Sequence, residues 1–495
     1  MKRNFLTAVA LMVVAFLAST TVAQAADVTF SGHLWPRYEV NEQSDMRDST
    51  DADFWAAMRT RLNANVKVDA DTSAFISLQS VRTFGNNLGA GGGANARTGA
   101  NAAATNSSAG GANGPFSPND QDDSVGVHQA YMYLKNFAGL PVDLKLGRQE
   151  VVLDGHRLFG NTLWTMGASS HDALLLVHAR DNHTLIYGYS TANEDSTLEA
   201  NTGDVDAHIL YGNFQGVLGG ALSTYGIIVD DRFGSLSGGT TNANNAVWFT
   251  LGARQAGKLA GLDYRVEYYH QLGQAAASNA LGQSGIPAGV SVDTRDAYMY
   301  GARVSKTFSN TMWKPKITLF YDFLSGTSDD DVQNGNWRSF DTLFDTGHKF
   351  YGLMDEYLSN TGGDQDFFGM QDLSVKLKLQ PAANWKFMAD WHQFYTAVGI
   401  NGSPTRADAA GFTMNCAGAV GALCAQGVSN PNRNYDTDLG QEVDLTLVHK
   451  YSSNVTLQAG YSVYYGTPTH AIVKERTAQA GGEAQWAYLQ ASLKF

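Results

Sequence analysis

Charged side chains recur at every second position of several apolar segments, and this spacing is the clearest chemical signal in the sequence. In the segment 54–69, Arg59 and Arg61 alternate with apolar residues such as Met58 and Leu62. Successive side chains of a β-strand point to opposite faces of the sheet, so the two arginines would share one face. Arginines gathered on a wet face favour the binding of acidic groups, because the guanidinium matches a carboxylate.

The same alternation test assigns a larger set of charged residues to the polar faces of the segments. They are Arg37, Glu39, Arg59, Arg61, Arg254, Arg265, Glu267, Arg303, Asp372, Glu442 and Asp444. Two interpretations of this set stay open. Either the opposite charges pair across a wide lumen and hold it open, or the arginines form a constriction that selects acidic solutes.

The sequence lacks the residue patterns that metal binding, hydrolysis, phosphate binding and haem attachment require. No histidine pair has metal-ligand spacing with a third partner nearby, and His171 with Asp172, like His208 with Asp206, is interpreted as ordinary wall lining. The chain has no Gly-x-Ser-x-Gly elbow, no phosphate-binding loop and no Cys-x-x-Cys-His haem site. We therefore expect no enzyme, no catalytic residue, no metal and no cofactor.

Eighteen segments with strand character must position these side chains, and short turns alternate strictly with long loops between them. Such alternation is typical of a transmembrane antiparallel β-barrel with short periplasmic turns and long extracellular loops, and a soluble β-sandwich or β-helix has no reason to show it. The sequence thus predicts an all-β fold of about eighteen strands. The segments span residues 28–40, 54–69, 72–84, 125–136, 140–150, 171–179, 183–191, 204–215, 219–230, 246–257, 261–272, 293–308, 313–326, 369–380, 384–398, 437–451, 454–466 and 483–495.

The composition of the 495 residues agrees with a wall that has one face in lipid and one in water. Charged residues make up 16%, yet the mean hydropathy is only −0.23. The chain is too apolar and aromatic for a disordered protein and too polar for a helical membrane protein. Its net charge of −13 argues against binding of nucleic acid, which is itself negatively charged.

The N-terminus has the pattern of an export signal. Lys2 and Arg3 precede an apolar run over 5–18, and Ala23-Gln24-Ala25 provides small residues for cleavage. We expect residues 1–25 to be removed and residues 26–495 to form a single outer-membrane β-barrel domain.

Two further features belong to an exported barrel. The final strand alternates up to Phe495, which resembles the signal that the barrel-assembly machinery recognises, so we expect that machinery as a partner through Phe495. Cys416 and Cys424 are the only cysteines and lie in one long loop, so the sequence predicts a disulfide between them. The loop over 85–124, rich in Gly, Ala, Asn and Ser, is interpreted as a mobile extracellular loop rather than a folded-in plug.

Several ordered motifs resemble the alginate-export family of outer-membrane porins. The first runs Leu146-Gly147-Arg148-Gln149-Glu150, then Asp154-Gly155-His156-Arg157-Leu158 and Trp164. A second runs Ser339-Phe340-Asp341-Thr342-Leu343-Phe344, then Gly347-His348-Lys349-Phe350-Tyr351-Gly352 and Asp355, and a third runs Leu439-Gly440-Gln441-Glu442-Val443-Asp444-Leu445. Arg37, Arg59 and Arg61 also fit, whereas His171 stands where the family tends to have Phe.

The resemblance implies an eighteen-stranded monomeric barrel with an electropositive constriction that passes polyuronate in the named members. It adds Arg148 and Arg157 to the candidate lining. We expect a porin of the Gram-negative outer membrane for diffusion or export of small polar or anionic solutes, including acidic saccharides. Its partners would be membrane lipid, lipopolysaccharide and a small-molecule or oligosaccharide solute. The alternatives are a sheath for a partner such as an exported electron carrier, and an outer-membrane enzyme.

Overall fold

The computed structural model describes residues 27–42, 52–84, 125–193, 205–232, 246–278, 291–328, 330–331, 334–357, 368–402, 433–435, 437–473 and 482–495. Eighteen strands in these ranges build one wall. They are β1 Asp27–Glu42, β2 Asp53–Lys67, β3 Thr72–Thr83, β4 Gly126–Leu134, β5 Asp143–Gln149, β6 His171–Arg180, β7 His183–Asn193, β8 Val205–Val217, β9 Gly220–Asp231, β10 Ala246–Leu259, β11 Leu262–Ser278, β12 Ser291–Thr307, β13 Lys316–Leu324, β14 Met370–Ala382, β15 Trp385–Tyr395, β16 Asp438–Lys450, β17 Val455–Gly466 and β18 Glu483–Lys494.

The wall is a closed antiparallel β-barrel. Each strand pairs with its neighbour along the chain, and β18 pairs with β1, where Tyr38 lies opposite Leu489. Closure leaves no unpaired strand edge in the hydrocarbon, where exposed backbone groups would find no hydrogen-bond partner. The prediction of an eighteen-stranded transmembrane barrel is confirmed.

The two faces of the wall differ as the alternation predicts. On β2, Leu62 is 48% exposed while Arg59 is 2% exposed, and on β11 Val266 is 49% exposed while Glu267 is 5% exposed. The exposed apolar side chains meet lipid. An arginine on that face would cost about 2–4 kcal/mol at the membrane midplane, so the pattern fixes which face of each strand turns inward.

Eight connections of two to eight residues join the strands pairwise at the periplasmic end. Two strands begin three residues later than the sequence predicts, at Asp143 and Lys316. Pro141 and Pro315 account for both differences, because proline has no N–H to donate to the ladder.

Two connections from the extracellular end fold into the barrel. We call residues 150–170 the first inner segment and residues 338–357 the second inner segment. Gln79 of β3 donates to the carbonyl of Gly167, at 2.7 Å, while Tyr225 of β9 donates to Asp154. A segment that reaches both β3 and β9 must cross the interior. The alternation of short turns and long loops predicts extracellular loops over 151–170 and 327–368, and it does not predict this crossing.

The smaller elements lie in the connections. They are the 3₁₀ turns Phe137–Gly139 and Gly347–Lys349, the helix Pro468–Val473, the strand Asn336–Trp337 paired in parallel with β12, and the strands Ile400–Gly402 and Arg433–Tyr435 paired with each other. Among the described residues, no helix is long and apolar enough to span a membrane. The signal peptide 1–25, the loop 85–124 and the disulfide between Cys416 and Cys424 lie outside the described residues and stay predictions.

Candidate functional site

Arg37 and Arg59 attach the first inner segment to the wall of β1 and β2. Arg37 Nη1 donates to the carbonyl of Trp164 at 2.8 Å, and its guanidinium lies 4.2 Å from the centre of the Trp164 ring. Arg59 Nη1 donates to the carbonyl of Thr165 at 3.0 Å. Both arginines are buried. Buried hydrogen bonds from charged donors are strong, so these two residues hold the backbone of the segment in place.

Glu39 and Glu150 provide the negative charges on the same side of the barrel. Glu39 lies 2.5 Å from Arg37 Nε, and Glu150 lies 3.2 Å from Arg61 Nη1. Burial disfavours the charge of Glu150, but hydrogen bonds with His128 and Asn161 and the charge of Arg61 lower its pKa to about 2. Arg37, Arg61 and their carboxylates are therefore largely compensated.

Arg157 attaches the first inner segment to the opposite wall. Its guanidinium donates to the Asp322 carboxylate on β13, to Glu267 on β11 at 3.4 Å, and to the Tyr351 hydroxyl at 2.6 Å. It also lies 3.6 Å from the centre of the Phe350 ring. Burial disfavours the charge of Arg157, yet the charge of Asp322 raises the pKa of the guanidinium. This residue ties both inner segments to the wall at one point.

The two inner segments pack against each other and form one unit. Backbone hydrogen bonds join Gly160 N to Phe344 O at 2.8 Å and Phe344 N to Leu158 O at 2.9 Å. The rings of Trp164 and His348 stack with their centres 4.1 Å apart and their planes 5° from parallel. We call this unit the constriction plate, because it occupies part of the barrel's cross-section.

Of the acidic residues of the β14–β16 wall, Glu442 anchors the plate on a third side. Glu442 accepts hydrogen bonds from the backbone N–H groups of Leu353 and Met354, at 2.6 and 2.9 Å. Asp444 accepts from the Ser462 hydroxyl at 2.5 Å. Asp372 lies 2.9 Å from His392 Nδ1, and both side chains are buried. These carboxylates are engaged by neighbours in the protein.

A cationic group, Arg265, Arg303 and Lys349, lies beside Arg157. Among the described residues, no carboxylate forms an ion pair with Arg303, and its Nε and Nη2 have no hydrogen-bond partner. Its guanidinium lies 3.9 Å from the centre of the Phe320 ring. Arg265 Nη2 is 3.1 Å from Glu267, which Arg157 shares. Burial and the charges of Arg265 and Arg303 lower the pKa of Lys349.

The carboxylates around this group do not balance it. Arg157, Arg265, Arg303 and Lys349 give four positive charges, and the two carboxylates in direct contact with them, Glu267 and Asp322, give two negative charges. Asp345 is buried nearby, and burial raises its pKa to about 7 despite the charge of Arg157. A carboxyl that is partly neutral at physiological pH adds little compensation. Arg254 has its own partner in Asp154, at 3.4 Å.

The comparisons with known proteins agree with this architecture. The family model for alginate export matches residues 26–478. The chain belongs to the alginate export family. Among solved structures, Acinetobacter baumannii OccAB1 has 13% identity and a TM-score of 0.52, with 97% of this chain and 99% of that chain covered. Pseudomonas aeruginosa OpdO has 11% identity and a TM-score of 0.51, with coverages of 95% and 97%. No relative was found among curated proteins.

Membership of the alginate export family, together with the closed barrel, makes this protein an outer-membrane channel for small solutes. The exposed apolar face of its wall meets outer-membrane lipid. The low identity to the solved structures means that they support the fold alone.

One family-matched residue lies elsewhere than the resemblance implies. Arg148 shares a face of β5 with Leu146, which is 40% exposed, and pairs with the half-exposed Asp172 at 2.5 Å. Its neighbour Gln149 points inward and is buried. Arg148 therefore lies on the outer face of the wall and is not brought together with the interior arginines. Residues one apart in a strand face opposite sides, so a motif match could not assign the side.

The same rule separates His171 from Asp172. His171 is buried, with its ring centre 5.5 Å from that of Phe159, whereas Asp172 is on the outer face with Arg148. The two cannot act as an acid–base pair. Within the described ranges, no three His, Cys, Asp or Glu side chains are arranged to hold a metal ion.

Several residues of the constriction are not among the lining residues that the sequence predicts. Asp322 lies on the inner face of β13, between Tyr321 and Phe323 in the sequence. The alternation test does not assign it to a polar face because Phe320, two residues earlier on the same face, is apolar. Lys349 and Tyr351 lie in the second family motif, but nothing in their spacing showed that this loop turns inward. The sequence signal for this inward fold is the number of apolar residues, such as Leu158 and Phe344, in connections that the sequence predicts to be solvated.

Proposed function

We propose that this channel passes small anionic solutes, including acidic saccharides, and that Arg265, Arg303 and Lys349 attract them at the constriction plate. The observation that carries the proposal is Arg303. Its Nε and Nη2 atoms are shielded from solvent although the residue as a whole is only half-buried, and no carboxylate among the described residues pairs with it. A guanidinium that is half removed from water and has no ion-pair partner is unfavourable, so an anion that arrives from solution would complete the group.

Rigid placement of these charges supports selection. The Arg303 guanidinium lies 3.9 Å from the centre of the Phe320 ring and 5.5 Å from that of the Phe350 ring. Guanidinium groups held on aromatic faces keep their orientation without a carboxylate. A narrow passage with walls of low dielectric constant focuses their field and raises the local concentration of anions.

The name of the family adds the substrate class. Alginate is an acidic polysaccharide, and the carboxylate of each sugar would meet the cationic group in turn. The other arginines of the sequence-based set contribute differently in this proposal. Arg37, Arg59 and Arg157 set the position of the constriction plate, and Arg254 with Asp154 forms a compensated pair.

We also propose that Phe495 is the contact for the barrel-assembly machinery and that the barrel acts as a monomer. Phe495 is 61% exposed at the seam between β18 and β1. A sheath around a partner protein is less favoured, because the partner would share the interior with both inner segments.

The test is the reversal potential of single channels in planar bilayers under a KCl gradient. We expect anion preference in the wild type, and a chloride-to-potassium permeability ratio about threefold lower in the double variant Arg265→Gln, Arg303→Gln. The matched control is Arg148→Gln, which removes an arginine from the outer face and should leave the ratio unchanged. Cation preference in the wild type, or an equal ratio in the double variant, would overturn the proposal.

A further inference from the structure

A pocket opens at the periplasmic end of the lumen, away from the constriction plate. It has a volume of about 720 Å³ and is bounded by the β2–β3 and β4–β5 turns. Its inner wall is formed by Phe75, Tyr131 and Lys145. Met132 and Leu146, the sequence neighbours of two of these residues, are 47% and 40% exposed on the lipid face. The pocket therefore faces the lumen.

Lys145 is the cation inside this pocket. Its Nζ lies 4.1 Å from the centre of the Tyr131 ring. In the described part of the chain, no carboxylate lies within ion-pair distance of Nζ, and the nearby acidic groups are occupied. Glu150 contacts Arg61 and His128, and Asp143 accepts hydrogen bonds from Tyr133 and from the backbone of Asn136.

Aromatic rings form the surface next to this ammonium. The rings of Phe75 and Tyr131 lie with their centres 5.4 Å apart, and Tyr133 lines the same pocket. A binding pocket that combines apolar aromatic faces with one well-placed charge favours a ligand that has an apolar face and one opposite charge. A pyranose ring offers C–H groups on one face, and a uronic acid adds a single carboxylate.

The rim of the pocket carries charges of both signs. Lys67 and Lys135 lie near Asp27, Asp69 and Asp71. The carboxylate of Asp69 already accepts the backbone N–H groups of Asp71 and Thr72, at 2.8 and 2.7 Å. The two lysines and three aspartates of the rim leave it with one excess negative charge, whereas the inner part of the pocket carries only the positive charge of Lys145, which gives that part its preference for an anion.

We propose that this periplasmic pocket binds one acidic sugar residue, with its ring against Tyr131 and Phe75 and its carboxylate on Lys145. The solute class rests on the proposed function, whereas the site rests on the pocket alone. A solute bound here would lie at the periplasmic mouth of the channel, on the periplasmic side of the cationic group of the constriction plate.

The experiment is saturation-transfer NMR of sodium D-glucuronate with the purified full-length barrel in detergent micelles. We expect saturation of the sugar ring protons in the wild type and a much weaker effect with D-glucose. Lys145→Met should weaken glucuronate binding about fivefold, which corresponds to the loss of one contact between opposite charges. Tyr131→Leu should reduce the saturation of the ring protons. Lys145→Arg keeps the charge and should restore most of the binding.

Two further variants separate the outcomes. Lys378→Met removes a lysine from the same end of the barrel on the opposite wall and should leave glucuronate binding unchanged. Folding of each variant is checked by its heat-dependent migration on gels. If Lys145→Met binds as the wild type does, the periplasmic pocket is overturned, whatever the reversal potential shows. If Lys145→Met binds weakly while the reversal potential shows no anion preference, the pocket stands and the proposed function fails.

Discussion

The guanidinium of Arg157, in the first inner segment, donates to the carboxylate of Asp322 on the wall strand β13, and both side chains are buried. The same guanidinium contacts Tyr351 of the second inner segment. One residue thus connects three parts of the chain that are far apart in sequence. Because both partners of this ion pair are removed from water, it contributes strongly to the position of the constriction plate.

Replacing Arg157 should release the plate without opening the wall. Arg157→Gln leaves Asp322 and Glu267 buried without their main cation, and breaking a buried pair in this way costs about 3–5 kcal/mol. We expect larger and noisier single-channel currents, together with trypsin cleavage of the folded barrel at Lys349. Arg232→Gln, which removes an arginine from a half-exposed pair with Asp230, is the control. Wild-type currents and intact Lys349 in Arg157→Gln would show that the plate is held elsewhere.

Arg59 should act through hydrogen bonds to the backbone rather than through its charge. Its Nη1 lies 3.2 Å from Leu163 O and 3.0 Å from Thr165 O, and its guanidinium lies 4.3 Å from the centre of the Trp35 ring. Arg59→Lys keeps the charge but loses the planar fork, so we expect it to resemble Arg59→Ala, with an increased open-channel conductance. Full recovery of the wild-type conductance in Arg59→Lys would mean that charge alone matters.

Gly352 should tolerate no side chain. Its φ of +84° favours glycine, and a Cβ there would lie 2.4 Å from Glu442 Oε2. Gly352→Ala should therefore displace Glu442 from the N–H groups of Leu353 and Met354 and cost about 1–3 kcal/mol. Thermal unfolding measured by circular dichroism gives the loss. Gly399→Ala, where the added Cβ meets open space, is the matched control. Equal melting temperatures for the two variants would contradict this account.

Asp345 should make the packing of the plate depend on pH. Burial raises its pKa to about 7, so the folded state favours the protonated carboxyl. Its contribution to stability is fully present below the unfolded pKa of about 3.9 and is lost as the pH rises through about 7. We expect current noise to increase between pH 5 and pH 8, and Asp345→Asn to remove that increase. A pH dependence that persists in Asp345→Asn would assign it to another group.

The sequence predicts the strands of the wall but not the constriction plate. Lipid on one side and water on the other impose a period of two, so the predicted segments 171–179 and 183–191 agree with β6 and β7 within two residues. The plate has no such period, because its residues are fixed by contacts such as Phe159 with Phe344, far apart in the chain. Arg148 marks the limit of motif matching, since a family resemblance carries no information about the face of a strand.

The crossing of the interior has a consequence for the order of assembly. The first inner segment follows β5, early in the chain. The partner of Arg157, Asp322, lies 165 positions later, and the partner of Phe159, Phe344, is farther along the chain. Each strand of the wall can pair with the strand next to it in the sequence, whereas the plate can form only after β13 and the loop that follows it are in place. Pairing of the wall strands and restriction of the pore are therefore separate events in the maturation of this protein.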